Sequence, residues 1–98
     1  MEKPYKFLAK DFYEMLEKQD YKCPLTGREL TPETTTAEHI VQLQAGGTHR
    51  KENIYLIHRD VARVKRFMSE NDVINLAFDI LKTKGKAYGF TAKKILQD

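Results

Sequence analysis

Residues 36–65 read TAEHIVQLQAGGTHRKENIYLIHRDVARVK, and the fold turns on how this stretch changes character along its length. Over residues 34–43 the β-branched side chains of Thr34, Thr35, Thr36, Ile40 and Val41 favour a strand. Ala45, Gly46, Gly47 and Thr48 follow, too flexible a run for regular structure. The segment NIYLIH, residues 53–58, predicts a second short strand, so that two strands are joined by a loop of about ten residues. Beyond it, Val61, Val64 and Phe67 or Met68 recur at helical spacing, while Arg59, Arg63 and Arg66 lie four and three apart on another side. Strand, loop, strand and helix in that order predict an α+β domain.

Outward from this stretch the chain is helical at both ends. Residues 3–19 place Tyr5, Leu8, Phe12, Met15 and Leu16 at helical spacing between lysines and glutamates, with Pro4 suited to a first turn. Turn chemistry follows in CPLTG, residues 23–27, and again at Thr31 and Pro32. Ser69, with Asp72 three residues on, has the form of an N-cap. It predicts a helix through Val73, Ile74, Leu76, Ala77, Ile80 and Leu81 that Gly85 stops, with a short helix added over residues 91–97. No repeat, low-complexity tract or linker interrupts the chain. A single domain over residues 1–98 is expected, with its central unit at 21–68, a first helix at 3–19 and a helical extension at 69–98.

The composition sets outer bounds. A hydrophobic fraction of 41% with five Tyr and five Phe suffices for one compact core. No apolar run approaches the ~20 residues of a membrane span, so no membrane partner is expected. The start, MEKPYKFLAK, lacks an apolar segment of signal-peptide type. Cys23 is the single cysteine, which excludes an intrachain disulfide framework and fits a reducing, cytoplasmic setting. The net charge of +3 is unevenly spread: residues 1–49 carry six Lys/Arg against eight Asp/Glu, and residues 50–98 carry eleven against six. A basic second half permits phosphate partners.

Chemistry concentrates in the pair Glu38 and His39, at the end of the threonine-rich strand and ahead of the glycine loop. A carboxylate is a hard oxygen ligand for Mg²⁺ or Mn²⁺, and a neighbouring imidazole can take a proton from water near neutral pH. Successive strand residues point to opposite faces, so the two address one phosphate only if the strand ends or bends there.

The order and spacing of residues 36–65, preceded by CPLTGREL at 23–30, resemble the HNH endonuclease family. The resemblance covers residues 21–68, about half the chain. It implies a ββα-metal core, a two-stranded antiparallel hairpin plus helix, here flanked by an N-terminal helix and C-terminal helices. It implies metal-dependent hydrolysis of DNA phosphodiesters with His39 as the general base, Glu38 as a ligand of Mg²⁺ or Mn²⁺, and Asn53 bonding across the loop to keep the His39 ring oriented. Neighbouring phosphates would fall to Arg50, Lys51, Arg59, Arg63, Lys65 and Arg66.

Three positions depart from the family pattern. Where many members carry two Cys-x-x-Cys knuckles, this chain has Cys23, Thr26, His58 and Val61, so no structural zinc is expected and Cys23 reads as a small buried hydrophobe. Where the family places a histidine or asparagine that completes the metal site, the residue is Ala62. Either Ala62 is an inactivating substitution, or another ligand serves, with Asp60, His58 and His49 as candidates, or the domain binds nucleic acid or a protein partner without cleaving. Gln42 stands where proline is common, which would leave the loop freer. His49 itself reads first as a solvent-facing phosphate contact. So small a reading surface implies either low sequence specificity or a larger targeting partner.

Overall fold

The computed structural model describes residues 4–95, which fall into two compact units, one ending at Phe67 and the other beginning at Met68. The class is mixed α and β, with one two-stranded antiparallel sheet.

In the first unit, helix α1 spans Ala9–Lys18, strand β1 Thr35–His39, strand β2 Ile54–His58 and helix α2 Arg59–Lys65. The hairpin register sets Thr35 opposite His58, Ala37 opposite Leu56 and His39 opposite Ile54. Both expected strands are present but shorter. Residues 40–43 leave the sheet, Leu43–Ala45 form a 3-10 turn, and Asn53 belongs to the 3-10 turn Lys51–Asn53 ahead of β2. Strand β2 is buried from Ile54 through Ile57, as an uninterrupted apolar run requires when both faces are covered. Around it Met15, Leu16, Cys23 and Leu30 complete the core.

Helix α1 begins later than its apolar spacing suggests. Asp11 Oδ2 accepts from Leu8 N at 3.0 Å, which satisfies an N–H outside the helical ladder and starts the helix at Ala9. That bond, the largest influence, holds the Asp11 carboxyl below its ordinary range despite opposing burial, with help from Tyr5 and Lys51. Pro4 therefore precedes the helix, and the Tyr5 hydroxyl donates to Asp11 at 3.3 Å. At the other end Gln19 makes a clasp that its sequence position does not suggest. Its Oε1 accepts from Leu56 N at 2.9 Å and its Nε2 donates to Leu56 O at 2.8 Å.

Helix α2 reverses part of the expected inward stripe. Val61 and Ala62 pack on the core, but Val64 is 52% exposed and Phe67 76% exposed, whereas Lys65 is 2% exposed. Lys65 is four residues from Val61 and three from Ala62, which places it on the inward side. It is therefore not part of the exposed basic face.

In the second unit, helix α3 spans Glu70–Lys84, and Ser69 Oγ accepts from Asp72 N at 3.0 Å as its N-cap. Gly85 does not stop the chain's turning. A 3-10 segment, Gly85–Tyr88, continues to Gly89, whose φ of 86° is left-handed. Gly85 is instead the point of close approach, where an added Cβ would lie 3.1 Å from Phe90 O. Residues 91–95 form no helix, and residues 96 and 97 of the short helix expected there lie outside the described residues. No helix among the described residues is long and apolar enough to cross a membrane.

Candidate active site

Glu38 and Ala62 line one open cleft of about 800 Å³ between β1 and α2, together with Arg59, Arg63 and Arg66. Alternation along β1 would turn His39 away from Glu38. The strand ends at His39, however, and both residues line a smaller recess of about 160 Å³ with Gln42, Lys65 and Arg66.

The loop after β1 is built around Asn53. Its Oδ1 accepts from Val41 N at 2.9 Å, and its Nδ2 donates to Val41 O at 2.9 Å and to Thr48 O at 2.7 Å. One amide thus binds both sides of the loop, and Ile40 N donates to Asn53 O at 2.8 Å beneath it. Gly47 closes against the same clasp, where a Cβ would stand 1.8 Å from Val41 O and 2.9 Å from Asn53 Nδ2. Gln42 tightens this loop rather than freeing it, because its Nε2 donates to Arg66 O at 2.9 Å and ties the loop to the end of α2. A proline could not make that bond.

The loop carries His49 to His39, with Nε2 of His39 2.9 Å from Nδ1 of His49. The Tyr5 and His49 rings also meet at an inclined, edge-type contact, with centroids 5.5 Å apart. His49 is exposed, as expected, but it also has a partner that the sequence order does not announce. In the tautomer whose Nε2–H donates to His49, His39 keeps its lone pair on Nδ1, the form a general base needs.

His58 and Asp60 are not brought to Glu38. The register puts His58 three residues along the hairpin from the partner of Glu38, roughly 10 Å at the rise of a strand. His58 Nδ1 accepts from Asp60 N at 3.1 Å and caps α2. Asp60 is engaged by Arg28 at 3.1 Å and by Arg63 at 3.6 Å. Lys51 stands apart from the arginine cleft as well, paired with Glu14 at 3.2 Å and Asp11 at 3.5 Å on α1. Its ammonium is held above the ordinary range chiefly by the bond to Glu14, against opposing burial. Arg50 is exposed beside this turn, and its carbonyl accepts from Asn53 N at 2.9 Å.

Cys23 is 2% exposed. Burial pushes its thiol up, but hydrogen bonds from the Thr26 hydroxyl and from the backbone of His58, Leu25 and Thr26 outweigh it and leave the thiol below its ordinary range.

Among the described residues no three His, Cys, Asp or Glu side chains converge as a metal-binding group. Glu38 offers the cleft one carboxylate. That suits a Mg²⁺ or Mn²⁺ ion that keeps most of its water and takes further oxygens from a substrate phosphate. No family profile, curated protein or solved structure matches the chain.

Proposed function

We propose that the domain hydrolyses phosphodiester bonds in DNA in the manner of an HNH-type nuclease with a ββα-metal core. The observation that carries this reading is the joint lining of one recess by Glu38 and His39, opening beside a cleft rimmed by three arginines. A Mg²⁺ or Mn²⁺ ion, held by Glu38, would supply charge stabilisation to the phosphate oxygens. The chain does the rest with its own groups. His39 takes a proton from a water molecule as that water's oxygen forms a new bond to phosphorus. The bond from phosphorus to the 3′ oxygen breaks, the electron pair leaves on that oxygen, and it takes a proton from solvent. His49 holds the His39 ring through their hydrogen bond, and the Asn53 clasp fixes the loop that carries His49.

Ala62 favours a second reading, a module that binds nucleic acid or a protein partner without cleaving it. Its methyl group faces the cleft that holds Glu38, and a methyl group coordinates nothing. Nicking of supercoiled plasmid separates the two. Cleavage with Mg²⁺ or Mn²⁺ that chelator abolishes is expected, and Ala62→Asn should raise the rate by supplying a second oxygen ligand. A parent protein and an Ala62→Asn variant that both bind DNA but leave plasmid intact would establish the second reading.

The arginine rim gives a prediction common to both readings. Three exposed phosphate contacts from Arg59, Arg63 and Arg66 should make log K for duplex DNA fall with log salt at a slope of about −2.7. Replacing one arginine by alanine should lessen that slope by about 0.9, equally for unrelated sequences. A flat dependence would leave the rim as a solvated surface. The small reading surface further suggests that targeting comes from a larger partner.

A further inference from the structure

Lys65 is the one charged side chain among the described residues to be buried, at 2% exposed, and it has no ion pair or side-chain hydrogen bond there. Its stem is enclosed by the core, but its ammonium is not a fully buried, unpartnered polar atom, so the charged end reaches the surface of the recess that Lys65 lines. The adjacent Val64 is 52% exposed, so on this helix a lysine stem takes the inward position and an apolar side chain the outward one.

The surroundings of Lys65 indicate what its charged end faces. It lines the recess that Glu38 and His39 line, yet it forms no ion pair with Glu38. A phosphodiester entering there brings negative charge to a site that already holds a carboxylate, and a fixed cation offsets that repulsion. We propose that Lys65 holds a non-bridging oxygen of the phosphodiester group that His39 and Glu38 address. It thereby supplies from α2 part of the positive charge that a metal ligand at position 62 would otherwise help to anchor. Arg59 and Arg63 guide the backbone of the nucleic acid, whereas Lys65 binds the single phosphate in the recess, which Arg66 also lines. This assignment rests on the nuclease reading for its chemistry but makes a claim about binding that stands apart from cleavage.

The test follows Lys65 in the intact, unmodified chain by the ¹H–¹³C resonance of its ε-methylene, with a thymidine dinucleotide containing one phosphodiester as the probe. The resonance is expected to shift saturably with the dinucleotide and to stay in place with sodium chloride at the same ionic strength. Lys65→Met, similar in length and able to pack, should weaken dinucleotide binding by about 10- to 100-fold, the scale for a charge-assisted hydrogen bond. Arg59→Ala should weaken it far less. An unmoved Lys65 resonance at saturating dinucleotide overturns the proposal, even if Lys65→Met fails to fold. A shifted resonance with no nicking of plasmid by the parent or by Ala62→Asn sinks the nuclease reading and leaves the phosphate site standing. Nicking activity with an unmoved resonance does the reverse.

Discussion

Replacing His39 by alanine is expected to lower the rate of DNA nicking by roughly 100-fold or more while leaving DNA affinity nearly unchanged. The size follows from the role: without a positioned base, the attacking water must lose its proton to solvent during bond formation. Affinity is spared because His39 is not among the residues that line the arginine cleft. Single-turnover nicking and a binding titration on the same preparations check both halves. A His39→Ala protein as active as its parent would remove His39 from the mechanism. Equal losses in rate and in affinity would make it a binding group instead.

The largest expected loss of stability comes from a glycine. At Gly47 an added methyl would overlap the carbonyl of Val41, 1.8 Å away, and crowd the Asn53 amide at 2.9 Å. Both neighbours are held, one as backbone and the other by its bonds to Val41 and Thr48. Gly47→Ala must therefore open the clasp, at a cost of about 2–4 kcal/mol for the hydrogen bonds lost and the overlap relieved. For a domain of this size that is a fall in melting temperature of roughly 10–25 °C. The neighbouring Gly46 is a built-in comparison. It has a φ of 91° but nothing within 4 Å of an added Cβ, so Gly46→Ala should cost only the left-handed conformation, about 1–2 kcal/mol. Melting curves of the two variants that coincide would show the Asn53 clasp to contribute little.

The legible parts of this fold are those set by local chemistry. β-branched runs separated by a glycine-rich stretch predict the hairpin, and Ser69 with Asp72 predicts the start of α3, because the capping bond spans only three residues. The cross-loop bonding of Asn53 was implied by a family resemblance rather than read from spacing. What the sequence conceals depends on contacts between distant segments. The start of α1 is set by Asp11 reaching back to Leu8, against the apolar spacing that extends to Tyr5. The pairing of His39 with His49 depends on how a ten-residue separation folds back, and periodicity says nothing about that. Helical spacing admits two inward stripes on α2, and hydrophobicity selects the one through Val64. The structure takes the other, through Val61, Ala62 and Lys65, and a lysine can follow it because its long stem is largely apolar.

The Gln19 clasp on Leu56 matters beyond the core it borders. A sheet of two strands exposes backbone donors and acceptors along its outer margins, and such margins recruit strands from other molecules. Gln19 occupies the N–H and the C=O of Leu56 at the middle of β2 with its own amide, in the way a third strand would. An arriving chain would find the central rung of the β2 margin already taken by a single side chain.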